Sequence, residues 1–258
     1  MMTLGWILTA SIAGGALSAA LASIALALRS AWVPMLVSYA IGALLGAAFL
    51  EVIPHAFEDG HSREAAMAIL GGIFVFFVME KLLLYRHCHT EHCEVHDPHD
   101  HAVSAGHDHG RSALLIMVGD TVHNFVDGVL IAAAFLQSTE VGIVTAVAIV
   151  AHEIPQEMGD FVILLHSGYS RAKAFAVNMV SSLATVLGGL LGYYALQAID
   201  GLQPILLGIV AASMIYVAVA DLIPGLHRRP HLRDTAFQAA LIALGIATIG
   251  IVGALLRH

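Results

Sequence analysis

The chain has 258 residues, 59% of them hydrophobic and 12% charged, with a mean hydropathy of +0.84. A soluble domain is roughly 45–50% apolar and about 25% charged, so this composition excludes a water-soluble globular protein. Much of the acid behind the formal net charge of −8 lies in apolar runs or in one polar stretch, and the 11 Lys and Arg are too scattered to form a basic face for nucleic acid.

A membrane-spanning helix needs about 20 mainly apolar residues. Eight runs qualify, predicted at about 4–28, 33–55, 65–85, 112–136, 141–166, 172–198, 202–225 and 235–256. The expectation is an all-α polytopic membrane protein with one transmembrane domain over residues 1–258. The first run lacks the basic flank of a secretory signal and continues to Leu28 before Arg29, so it reads as a retained helix.

Basic residues favour the cytoplasmic side of short loops. The odd-numbered loops and adjoining helix ends hold Arg29, Lys81, Arg86, Arg111, Arg171, Lys173, Arg228, Arg229 and Arg233; the even-numbered loops and termini hold only Arg63 and Arg257. Nine against two predicts both termini outside and the 87–110 segment in the cytoplasm, as in a multi-pass protein of a plasma or inner membrane. That segment, between the third and fourth runs, carries His87, His89, His92, His96, His99, His101, His107 and His109 together with Cys88 and Cys93. Imidazole and thiolate are ligands that zinc and its neighbours favour, but no Cys/His spacing here matches a folded zinc module. The segment reads as an unselective metal-binding loop, and a reducing cytoplasm argues against a disulfide between its two cysteines.

The fourth run contains Gly119-Asp120-Thr121-Val122-His123-Asn124-Phe125-Val126-Asp127-Gly128, and the fifth His152-Glu153-Ile154-Pro155-Gln156-Glu157-Met158-Gly159-Asp160. Between Arg111 and Arg171 five acids (Asp120, Asp127, Glu153, Glu157, Asp160) lie inside these runs with no Lys or Arg, while Glu140 falls in the short connection. An ionised carboxylate in a bilayer costs several kcal/mol unless it meets a partner, a cavity or an ion. With no cation supplied by these helices, a bound metal is the natural partner. His123 and Asp127, His152 and Gln156, Glu153 and Glu157, and Gln156 and Asp160 are each four residues apart, so each pair shares a helix face. A very short connection makes the two helices antiparallel neighbours whose motifs meet at one depth. Pro155 cannot donate to the Ala151 carbonyl and is expected to open the helix at the cluster, as in transporters with broken helices.

Weaker signals mark a pathway. Glu51-Val-Ile-Pro54 in the second run and Asp221-Leu-Ile-Pro224 in the seventh share a pattern that falls near opposite surfaces, as an inverted repeat of runs one to three against six to eight predicts. His55, His166, His227, and Asn178 with Ser181 and Ser182 are further polar groups near run ends, and Asp120 and Asp160 flank the central motifs.

The sequences HNFVDG and HEIPQEMGD in consecutive spans, after a His-rich loop, resemble the ZIP family of divalent metal transporters, and most of all the members with HNFxDG and HExPHExGD. The resemblance covers essentially the whole chain. It implies a 3+2+3 arrangement with spans four and five enclosed by inverted three-helix repeats, a two-metal site between those spans, and movement of metal toward the cytoplasm. It also implies a homodimer in the lipid bilayer. The metal, zinc first with Fe, Mn or Cd as alternatives, is then a transported substrate and not a catalytic cofactor. By motif position His123, Asp127, His152 and Gln156 fall where one metal is bound, and Asn124, Asp127, Glu153 and Asn178 where the second is, with Glu157 beside them. Gln156 departs from the family's His, and a neutral amide is a weaker zinc ligand than imidazole. Val126 replaces a Pro found in some members, so span four reads as straighter.

The rival is an intramembrane zinc metalloprotease, in which H-E-x-x-H supplies two ligands and a general base. Here His152-Glu153-Ile154-Pro155-Gln156 lacks the second His and carries a Pro between the would-be ligands, so the reading is a transporter and not an enzyme. A metal-storage protein would account for the loop but leaves the five buried acids unexplained.

Overall fold

In hydrocarbon every backbone N–H and C=O must be satisfied within the protein, which leaves a long apolar chain only helices or a closed barrel. The computed structural model describes residues 2–28, 33–58, 61–87, 109–197, 202–226 and 232–256, and every regular element there is a helix. Eight rods are present among the described residues. The first is α1 (Met2–Ile12), a π turn (Ala13–Leu17) and α2 (Ser18–Leu28); the second is α3 (Val33–Ala47), a π turn (Ala48–Val52) and α4 (Ile53–Phe57). Single helices follow: α5 (Ser62–His87), α6 (His109–Gln137), α7 (Thr139–His166) and α8 (Arg171–Leu196). The seventh rod is α9 (Gln203–Tyr216), a π turn (Val217–Leu222) and α10 (Ile223–Leu226), and α11 (Leu232–Leu256) is the last. Six of them are long and apolar enough to cross a membrane by length and composition, and the other two, α6 and α7, are those that carry the acids.

Local chemistry fixes the connections around the central pair. Ser138 alone separates α6 from α7, and its hydroxyl accepts from the Val141 N–H at 3.1 Å, capping the orphan donors of the new helix. Gly168, at φ 85°, ends α7 in the left-handed conformation that glycine adopts without a Cβ penalty. The Ser170 hydroxyl then caps α8 at Lys173 N.

The two acid-x-Ile-Pro sequences form the same local structure. Glu51 and Asp221 each lie in a π turn, followed by a short helix with Pro54 or Pro224 at its second position. In each, the Ile N–H reaches back five residues, from Ile53 to Ala48 O and from Ile223 to Ala218 O. A proline ring crowds the carbonyl four residues earlier and offers it no donor, and widening that turn relieves both faults. Pro155 behaves otherwise. The expected break does not occur: α7 is helical without interruption from Thr139 to His166, with Pro155 inside it. Likewise α6 is one continuous helix, and His87 and His109, expected in the polar loop, are the last residue of α5 and the first of α6.

The rods pair through small residues. α6 packs most extensively on α8, α3 on α11, and α5 on α9. A Cβ on Gly128 would collide with the Thr185 carbonyl, and one on Gly188 with the Phe125 carbonyl, so α6 and α8 touch backbone to backbone. This is how helices associate where lipid is as apolar as leucine. Large side chains such as Met67, Leu70 and Phe74 of α5 and Ile251 and Leu255 of α11 stay exposed, facing where lipid would lie. The rods alternate in direction, so each end of the bundle has a defined set of termini. The end where α5 stops and α6 starts is called the loop face below, after the 88–108 segment that joins them.

Candidate metal centre

Polar burial is concentrated at one level of α6, α7 and α8. Asn124, Asp127, His152, Glu153, Glu157 and Asn178 are each at most 2% exposed. His123 is open to a cavity, its side chain 24% exposed. One ligand atom from each of His123, Asp127, His152 and Glu153 falls within 4.8 Å of all the others. His123 Nε2 and His152 Nε2 are 3.3 Å apart, and Glu153 Oε1 is 3.5 Å from both. Asp127 Oδ2 lies 3.1 Å from His152 Nε2 and 3.9 Å from His123 Nε2.

These separations have a chemical meaning. With zinc–nitrogen bonds of about 2.0–2.1 Å, two tetrahedral ligands sit about 3.3–3.4 Å apart. The two imidazole nitrogens and the Glu153 oxygen form a triangle of that size. His152 Nδ1 is 3.2 Å from the Ala148 carbonyl, which can only accept, so the proton belongs on Nδ1 and Nε2 presents a lone pair. That lone pair faces the Asp127 and Glu153 oxygens, which are acceptors too. Asp127 Oδ2 and both Glu153 oxygens are buried without a hydrogen bond. Lone pairs converging in a dry interior repel one another unless a cation sits among them.

A second group of oxygens adjoins this one. Asn178 Nδ2 donates to the Glu157 carbonyl at 3.2 Å, and Ser182 donates to Glu157 Oε1 at 2.7 Å; Asn178 Oδ1 and Glu157 Oε2 are left buried without a partner. Asn124 is held at both ends, its amide donating to Asp120 Oδ1 at 3.1 Å and its oxygen accepting from Thr185 at 3.0 Å. Ser181 donates to the other oxygen of Asp120. The motif-based division put Glu153 with Asn124, Asp127 and Asn178; the structure brings Glu153 Oε1 to the two histidines and leaves Oε2 without a hydrogen bond.

A cavity of about 410 Å³ opens from His123. Gly119, Asp120, His123, Gln156, Asp160, Glu80, Ser213, Tyr216 and Leu222 are among its walls. Asp120 precedes His123 on α6, Gln156 and Asp160 follow His152 on α7, and Glu80 lies toward the end of α5, so each is displaced from the centre toward the loop face. Tyr216 donates to Glu80 across the cavity and stacks on Phe76.

The remaining expected residues sort as follows. Glu51 and His55 lie together with Glu140 at the opposite face. His166 and Asp221 lie in helical turns, but their side chains, like those of His87 and His109, are outside the described residues. His227 and the loop residues Cys88, His89, His92, Cys93, His96, His99, His101 and His107 are outside them altogether. Sequence reasoning missed Thr185, Glu80 with Tyr216, and Glu140. Thr185 was signalled by its spacing of seven from Asn178 through Ser181 and Ser182, a polar stripe on an apolar helix; nothing local marks the other three.

A bundle of membrane-length helices that gathers His123, Asp127, His152 and Glu153 into one largely buried cluster able to hold a metal ion defines a multi-pass membrane protein. The family model described as ZIP Zinc transporter matches residues 2–110 and 83–253. The mouse zinc transporter ZIP4 is 31% identical over 249 positions, covering 73% of this chain and 37% of that protein. The Pongo abelii zinc transporter ZIP13 is 30% identical, covering 85% of this chain and 66% of its own, and the Saccharomyces cerevisiae zinc transporter YKE4 is 28% identical, with 84% and 70% covered. The chain belongs to the ZIP zinc transporter family. It spans little more than a third of the length of the ZIP4 relatives. Members of this family are transporters, which sets the protease alternative aside.

Proposed function

We propose that this chain carries zinc or a similar divalent cation across the membrane toward the loop face, and that the ion passes through the His123, Asp127, His152 and Glu153 cluster. The observation that carries this is the convergence, at mid-helix in a membrane bundle, of two imidazole nitrogens at a zinc-ligand separation with Asp127 and Glu153 oxygens that are buried without a hydrogen bond. Glu153 bridges to a second position made with Asn124, Asn178 and Glu157, while Gln156 is the weaker ligand of the first. Asp120, Gln156 and Asp160 then hand the ion down the cavity, past the Glu80–Tyr216 contact.

The nine-to-two bias of basic residues supports a cytoplasmic loop face, outside termini and a plasma or inner membrane. The shared π-turn and proline structure of the second and seventh rods supports inverted three-helix repeats around α6 and α7. A homodimer in the bilayer fits the family resemblance. The test is uptake of labelled zinc by proteoliposomes. Asp127→Ala and Glu153→Ala are expected to abolish it in folded, inserted protein, and wild-type uptake in both overturns the proposal.

A further inference from the structure

A second constellation of metal-ligating side chains lies away from the centre. Glu51 and His55 of the second rod and Glu140 of α7 each bring one ligand atom within 4.8 Å of the other two. Glu140 is twelve residues before His152 on the same helix, a displacement of about 18 Å at 1.5 Å per residue. That puts the trio near the membrane edge, on the face opposite the loop, because Glu140 opens α7 and His55 lies near the end of α4.

Three features prepare these groups for a cation. The His55 Nδ1 is 2.7 Å from the Glu51 carbonyl, which can only accept, so Nδ1 carries the proton and Nε2 presents its lone pair. Fixing the tautomer through the other ring nitrogen is how proteins orient metal-binding histidines. The π turn that Pro54 imposes shifts Glu51 within the rod, and its carboxylate, 1% exposed, occupies the space left by Gly253 of α11. Any Cβ at residue 253 would collide with that carboxylate. Finally, two carboxylates and a neutral imidazole carry the charge that balances a dication, with the mixed oxygen and nitrogen donors that Zn, Mn or Fe(II) accept.

We infer that Glu51, His55 and Glu140 form a separate divalent-metal site at the face opposite the loop, which captures the ion before it reaches the centre. This rests on the reading of the chain as a metal carrier. It differs from a mere path lining in fixing a stoichiometric ligand set, and it gives Glu140 a role.

The test counts bound Cd²⁺ on the purified full chain in nanodiscs, for the wild type, His55→Gln with Glu140→Gln, Asp127→Ala, and all three together. His55 and Glu140 are only half-buried, so their amide variants are expected to fold. The 88–108 segment is present in every sample and cancels in the comparison. The double variant should bind one equivalent fewer than the wild type, and the same difference should persist in the Asp127→Ala background. Equal stoichiometry in either background overturns the site. Should the double variant misfold, each single variant should weaken one equivalent roughly tenfold or more, and unchanged affinity in both overturns it. Normal zinc uptake by both Asp127→Ala and Glu153→Ala would sink the central transport site instead, without touching the one-equivalent difference, so the two failures are distinguishable.

Discussion

His123 Nε2 and His152 Nε2 approach to 3.3 Å from two different helices, their rings edge to face at 85°. Two imidazoles in this relation share either a proton or a metal, and Glu153 Oε1 at 3.5 Å from both completes a three-point grip. Substitution of this carboxylate separates its structural cost from its binding role. Glu153→Gln keeps the volume and alters a side chain whose two buried oxygens have no hydrogen bond. The metal-free variant should therefore unfold near the wild-type temperature, because no hydrogen bond within the protein is lost. Its stabilisation by added zinc should vanish, since only a bound ligand shifts the unfolding equilibrium. Thermal unfolding with and without zinc checks both halves.

Metal binding should weaken as pH falls. The ligands bind metal as carboxylates and neutral imidazoles, so protons compete with the ion. Every proton a ligand holds must leave before the metal can bind there, so affinity should fall steadily from about pH 7.5 to about 5.5. Competition titration across that range measures it, and a flat profile would show that no titrating ligand gives up a proton to the metal.

Gln156 lines the cavity beside His123, one turn after His152. It does not titrate. Gln156→His should tighten zinc binding at neutral pH, steepen the pH dependence by one more competing proton, and slow turnover through slower release. Identical affinity and slope in the two forms would show that this side chain does not reach the metal.

The contact between α6 and α8 tolerates no side chain at Gly188, where a Cβ meets the Phe125 carbonyl. Gly188→Leu should cost at least about 1–3 kcal/mol through overpacking and lower the melting temperature. It should also displace Thr185, the anchor of Asn124, and so reduce zinc uptake. A stable variant with normal uptake would contradict the close packing.

Replacing the histidines and cysteines of the 88–108 segment by serine should preserve uptake and alter its regulation or apparent affinity, because the buried ligand cluster is assembled without them. Complete loss of uptake in a well-expressed variant would place those residues on the path.

Much of this protein is legible in one dimension. Eight apolar runs became eight helical rods because a chain so poor in charge must satisfy its backbone locally. The four-residue spacings of His123 with Asp127 and of Glu153 with Glu157 placed the acids on the faces that meet, since a single residue between α6 and α7 leaves them no other relation. Pro155 misled, because whether a proline opens a helix depends on the packing around it; Pro54 and Pro224 follow π turns and Pro155 does not.

Only the tertiary structure decided which groups share a site across distant parts of the chain. Glu140 joins Glu51 and His55 from some 85 residues away, Tyr216 reaches Glu80 across 136 residues, and Thr185 holds Asn124 across 61. No periodicity encodes such pairs, because helical spacing fixes only the face of a residue on its own rod. The partner that face meets is set by helix register, and register depends on backbone contacts such as Gly128 on Thr185 and Gly188 on Phe125.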